Sequence, residues 1–167
     1  MFRAVATCVL LSAAALVIVP PEHASSPVPI SYRADLATLT RTAPYPVLAP
    51  AGLPRSWTPV SSGVAVGGAN GAGTVTWRLG YVTPSGTFAA LEETNATAGP
   101  FIRRMTNSGT PQPPVQAAGR AWNASENSER GQRSLALTTS AGVTLVVTGN
   151  ASWGQLHTLA ASLQPQS

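Results

Sequence analysis

Apolar positions in this chain follow three patterns: one unbroken run, three stretches spaced at three and four, and several stretches that alternate. The unbroken run is Ala4 to Val19, between Arg3 and Pro20-Pro21. Its length is about 24 Å as a helix, short of a roughly 30 Å hydrocarbon core and at the long end for the apolar part of a signal peptide. A cut after Ala24 would place Glu22 at the third position back, and a cut after Ser26 would place Pro27 just beyond it. Both are poor cleavage sites, so an uncleaved anchor over residues 1–20 is expected, with a cleaved, secreted product as the alternative. Arg3 places the amino terminus in the cytoplasm and the bulk of the chain outside.

Residues 21–30 hold prolines and serines with few large apolar side chains, which predicts an extended linker. Residues 31–167 then read as one extracytoplasmic domain. Leu36, Leu39 and Ala43 predict a short helix over Tyr32 to Thr42, with Ser31 as cap and Pro44 as stop. Four prolines between Pro44 and Pro54 exclude a helix and a central strand, leaving an extended connector pinned by Val47, Leu48, Leu53 and Trp57. A strand to Val66 and a glycine-rich loop follow. Thr74 to Val82 is the clearest strand, because Val75, Trp77, Leu79 and Tyr81 alternate with Thr74, Thr76, Arg78 and Gly80.

The second half reads as a strand over Thr87 to Thr94, a helix over Ala98 to Met105, and a proline break over Thr110 to Pro114. Strands at Val115 to Ala118 and Arg120 to Ala124 precede a polar loop from Ser125 to Gln132. Strands at Ser134 to Thr139 and Val143 to Thr148 lead to a closing helix, Trp153 to Leu163, opened by a capping box of Ser152 and Gln155. Leu79 to Met105 and Leu135 to Leu163 share one order: strand, turn ending in glycine, strand, Asn-Ala-Thr or Asn-Ala-Ser, helix. Their offset is 56 through the hairpins and 55 after them, counted from Gly86 to Gly142 and from Asn95 to Asn150. Two such units predict an α+β fold, a mainly antiparallel sheet of six or seven strands covered by about three helices.

Charge and chemistry narrow the function by what they exclude. All ten basic residues are arginine; without Arg3 the remainder carries nine against six acidic residues, or +3. The arginines are scattered, which argues against nucleic acid as a partner and suits solvated surface charge. Cys8, the single cysteine, lies in the apolar run, so the exterior has no disulfide. His23 lies in the linker, and His157 lies at the edge of the last helix's apolar stripe, expected to be half-buried. Asp35 is the one aspartate, and Glu92 and Glu93 face opposite ways on a strand, so neither a triad nor an acid–base pair is expected. Glu126 and Glu129 read as solvated loop residues. The glycine loop leads into a strand, where a phosphate cradle requires a helix. Of the three Asn-x-Ser/Thr triplets, at Asn95, Asn123 and Asn150, the first and last precede predicted helices and are explained by capping at Thr97 and Ser152. Trp57, Trp77, Trp122 and Trp153 are all expected in the core. No residue is assigned to catalysis, to a cofactor or to a metal.

The pieces Ala43 to Pro54 with Trp57, Leu79-Gly80-Tyr81-Val82-Thr83-Pro84, Gly119-Arg120-Ala121-Trp122, and Val146-Val147-Thr148-Gly149 with Ala151-Ser152-Trp153 resemble an actinobacterial family known as domain of unknown function 4245. That resemblance implies a short membrane helix followed by an outside domain and no established activity. The expected function is a non-catalytic domain held at the plasma membrane through residues 4–19 and binding a protein or cell-envelope component. A carrier of an apolar ligand and, less favoured, an envelope hydrolase are the alternatives. The full-length protein should remain in the membrane fraction through high-salt and carbonate washes; recovery of a shortened chain free in the medium would show a cleaved signal instead.

Overall fold

The computed structural model describes residues 27–67 and 73–166. The apolar run of residues 4–19 with Cys8, linker residues 21–26 with His23, and residues 68–72 of the glycine loop lie outside them. Among the described residues no helix is long and apolar enough to cross a membrane.

Three helices and a seven-stranded antiparallel sheet make an α+β domain. In chain order these are α1 (Arg33–Thr42), β1 (Leu48–Pro50), β2 (Thr58–Gly67), β3 (Thr74–Val82), β4 (Phe88–Thr94), α2 (Ala98–Met105), β5 (Thr110–Ala117), β6 (Arg120–Asn127), β7 (Gln132–Thr138), β8 (Thr144–Gly149), α3 (Trp153–Ala161) and β9 (Leu163–Pro165). The sheet runs β2-β3-β4-β8-β7-β6-β5, and β1 with β9 forms a separate two-stranded ribbon. Hairpins β3–β4 and β7–β8 therefore meet at a central β4–β8 seam, where Leu91 stands opposite Val147.

The two hairpin turns are alike, as the repeat predicts. Thr83 and Thr139 each accept from and donate to their own turn, and Gly86 and Gly142 both have a φ of 78°, a conformation that glycine adopts without strain. The helices that follow are not alike. α3 packs with Leu135, Leu145 and Val147 in the main core, whereas the Phe101 side of α2 packs on Ala136 and Val146. These are alternating positions of the same strands, so the two helices lie on opposite faces. The physical reason is the change of offset from 56 to 55: β8 has one residue fewer before its Asn-Ala-Ser, and a one-residue difference reverses which face follows.

α1, α3 and the β1–β9 ribbon cover one face, enclosing Trp77, Trp122, Leu79, Leu91, Leu145 and Leu159 with no exposed surface. Trp57 stands edge-on to Tyr81 at 6.1 Å between ring centroids, and Tyr32 leans on both Trp77 and Tyr81. Trp153 departs from expectation: at the first position of α3 it is half-buried, packed against the main core from its margin.

Other differences have local causes. Tyr32, not Ser31, is the residue preceding α1, and it makes no side-chain cap. Leu163 begins β9 instead of ending α3, because Ala51 N–H donates to Ser162 O and Gln166 N–H to Val47 O, drawing the tail into the connector. Thr110 to Pro114, expected as a break, is the start of β5. That strand is the sheet's outer edge, where prolines lose no ladder bond, and a register shift between Gln112 and Val115 absorbs Pro113-Pro114. The expected loop over Ser125 to Gln132 is half strand, its ends belonging to β6 and β7, with a 3-10 turn at Ser128–Arg130 between them closed by Gly131 in the left-handed conformation.

Complete burial makes Trp77 the stronger of two tests of this packing. Trp77→Ala should cost about 3–5 kcal/mol and Trp153→Ala, half-buried, about 1–2 kcal/mol, measured by urea unfolding of residues 28–167. Equal midpoints for Trp77→Ala and the parent would refute the core placement.

Candidate functional site

Among the described residues the second face of the sheet is packed by one helix, the eight residues of α2. Thr97 precedes this helix but makes no side-chain cap, contrary to expectation. Its asparagine triplet serves the strands instead: Asn95 Oδ1 accepts from Val75 N–H at 2.8 Å, and in the second triplet Asn150 Oδ1 accepts from Phe88 N–H at 2.6 Å. Ser152 does cap α3, with the reciprocal bond from its own N–H to Gln155 Oε1. Asn123 stands exposed on β6. At the end of α2, Arg103 and Arg104 lie beside the carbonyl end of the helix, where positive charge is favoured.

α2 leaves a cleft on each side. Toward β5 and β6 the cleft is about 510 Å³ and includes Ile102, Arg103, Gln112, Asn123 and Ala136. Toward β3 and β4 it is about 440 Å³ and includes Arg78, Glu92, Arg104, Arg130, Gln132 and Asn150. Three arginines from β3, α2 and the 3-10 turn thus share one cleft. Arg78 Nε lies 3.0 Å from Glu92 Oε1; the arginine side chain is 59% exposed and the glutamate 6%. Among the described residues Arg104 and Arg130 have no ion-pair partner. Arg104 instead stacks its guanidinium over Phe101, 5.5 Å from the ring centre.

The floor of this cleft is tied down by hydrogen bonds. Gln132 Nε2 donates to Met105 O at 2.7 Å and to Thr148 Oγ1 at 2.6 Å, while its Oε1 accepts from Asn107 Nδ2. The end of α2 is thereby fixed to β7 and β8. Burial pushes the Glu92 carboxyl up from the usual 4.5 to about 7, against the opposing pull of Arg78 and then Arg104.

Glu93 points into the main core on the other face. Both of its oxygens accept from Leu48 N–H, at 3.2 and 3.3 Å, so it holds β1 against the sheet. Burial pushes it up to about 8, and the Leu48 bond opposes that. Burial, and secondarily the charge of Glu93, also raises the Tyr45 hydroxyl. The alternation that separates Glu92 from Glu93 is as expected from sequence.

The remaining polar residues of interest are dispersed. His157 is exposed, not half-buried, and its Nε2 lies 3.0 Å from Gln116 O, which assigns the proton to that nitrogen. Asp35 stands on α1. Glu126 is part of β6 and pairs with Arg133 at 3.1 Å; Glu129 is in the 3-10 turn. Among the described residues no three His, Cys, Asp or Glu side chains group as metal ligands. On β6, the buried Arg120 Nη1 and Trp122 Nε1 have no hydrogen-bond partner among the described residues, two donors left unmatched beneath the ribbon.

An α+β domain with one sealed face and one face carrying an arginine-lined cleft is thus the class of structure in hand. The chain belongs to the family described as Protein of unknown function (DUF4245), which matches residues 1–163. No curated protein and no solved structure matches it.

The arginine cleft was not visible in the sequence, where positions 78, 104 and 130 fall in three different elements and look scattered. Nothing short of the sheet order brings them together.

The two raised carboxyls fix the sign of a pH effect. Each binds its proton more tightly folded than unfolded, so the stability they contribute is fully present below about pH 4.5 and is lost as pH rises through about 7 to 8. The urea midpoint of residues 28–167 should fall between pH 5 and pH 8.5, and Glu93→Gln should flatten that fall. A midpoint that rises over the same range would contradict the burial of both groups.

Proposed function

We propose that this chain is a non-catalytic domain, held at the outer side of the plasma membrane through residues 4–19, that binds a protein or cell-envelope component across its α2 face. One observation carries the reading: among the described residues one face of the sheet is sealed by two helices and a ribbon, while the other bears a single two-turn helix with a cleft on either side. Such an arrangement offers a preorganised surface, and a preorganised surface loses little entropy on binding.

Two further facts support binding over catalysis. The side chains a hydrolase would recruit stand apart, with His157 on α3, Asp35 on α1, and Glu92 and Glu93 on opposite faces of β4. The main core is filled by large side chains, Trp77 and Trp122 among them, which favours a binding surface over an internal carrier cavity.

The test places bulk on the face and asks for function in a strain lacking the protein. Asn123→Trp and Arg103→Trp, both at exposed positions, should fold with little change in urea midpoint yet fail to complement. Thr158→Trp, exposed on the outer side of α3, should complement normally. Full complementation by both face variants, or a domain digested by added protease only after cells are broken, would overturn the proposal.

A further inference from the structure

We infer that the cleft between β3–β4 and the end of α2 is a binding site for a phosphate-type oxyanion, held by the guanidinium groups of Arg78, Arg104 and Arg130. The inference deepens the binding reading above by naming the ligand chemistry.

The charge count comes first. Three arginines and one glutamate share the cleft, so its formal charge is three minus one, or +2. Among the described residues two arginines are paired with a carboxylate, Arg78 with Glu92 and Arg133 with Glu126. In the cleft Arg104 and Arg130 have no carboxylate partner among the described residues, and the one carboxylate, Glu92, engages Arg78 at Nε.

The second point is positioning. Long exposed arginines usually wander, but two of these are held. Arg78 is anchored by a carboxylate that is itself 6% exposed, and the Arg104 guanidinium carbon lies over the Phe101 ring, 5.5 Å from its centre. Orienting a guanidinium before the ligand arrives reduces the entropy lost when its planar fork meets an oxyanion. Gln132 and Asn107 fix the floor beneath them. A volume of about 440 Å³ falls within the range of small-molecule sites and leaves room for a substituent on the phosphate.

Burying a glutamate to hold one exposed arginine is otherwise hard to rationalise. Desolvation disfavours its charge, and a surface ion pair returns little. A buried carboxylate that aims a cation into a cleft instead has the form of a positioning group.

Phosphorylated lipid headgroups and soluble phosphate compounds share this chemistry. The experiment titrates the full-length chain in neutral detergent micelles with inorganic phosphate and, separately, with soluble short-chain phosphatidylglycerol, followed by calorimetry. Saturable binding is expected, weakened roughly tenfold by Arg104→Gln and by Arg130→Gln and unchanged by Arg55→Gln. Glu92→Gln keeps an oxygen to accept from Arg78 Nε and so keeps that arginine oriented, while removing the cleft's one negative charge, and should bind more tightly. Binding of inorganic phosphate identifies a soluble source, and binding of the short-chain lipid alone identifies a headgroup. Absence of saturable binding to either probe overturns the inference, as does binding that Arg104→Gln and Arg130→Gln leave unaltered. If neither probe binds while the face variants still fail to complement, the oxyanion assignment falls and the binding face stands.

Discussion

The pairing of β4 with β8 is the contact on which everything else rests. An isolated two-stranded hairpin is marginal in water, and each half of this chain contributes one. Joined along Ala89 to Thr94 and Thr144 to Gly149, the hairpins place Leu91, Leu145 and Val147 at the centre of one buried layer. The approach is close: any side chain at Gly149 would collide with the Phe88 carbonyl, and Ala151 N–H donates to that same oxygen at 3.1 Å. With the single cysteine in the apolar run, no disulfide contributes to this domain, so apolar burial across the seam is its main source of cohesion.

Two adjacent carboxylates in the middle of that seam work against stability and do so for different reasons. Glu93 accepts the connector's Leu48 N–H, a donor that would otherwise be buried unpaired, so its desolvation is partly offset by satisfying the backbone. Glu92 makes no hydrogen bond to a backbone group among the described residues and pairs with an exposed arginine. Local features that oppose stability concentrate where function requires them, and by that criterion the α2 face stands out from the sealed one.

How far the sequence could be read depended on whether a feature was local. β3 and α2 match their expected bounds, because strict alternation and a compact apolar stripe lie within single elements. The capping box of α3 matched because both partners are three residues apart. The short ribbon escaped notice since Leu48 to Pro50 and Leu163 to Pro165 are strand only by virtue of each other. β5 looked like a break because a proline's cost depends on whether its strand is central or outermost, which one segment does not reveal. The cleft was hidden for the same reason, as strand order alone makes neighbours of β3, α2 and the turn after β6.

The prolines of β5 also set how this sheet could grow. A further strand added beside β5 would face Pro111, Pro113 and Pro114, which lack the N–H groups that a ladder needs. The opposite edge, β2, carries no charge along its ten residues, and among the described residues only Ile30 N–H, donating to Pro59 O, engages its beginning. Among the described residues the sheet is therefore open to lateral extension at β2 and closed to it at β5. Two copies joined edge to edge through β2 would present β5 at both outer margins, a geometry that terminates at the pair and does not propagate into a fibre.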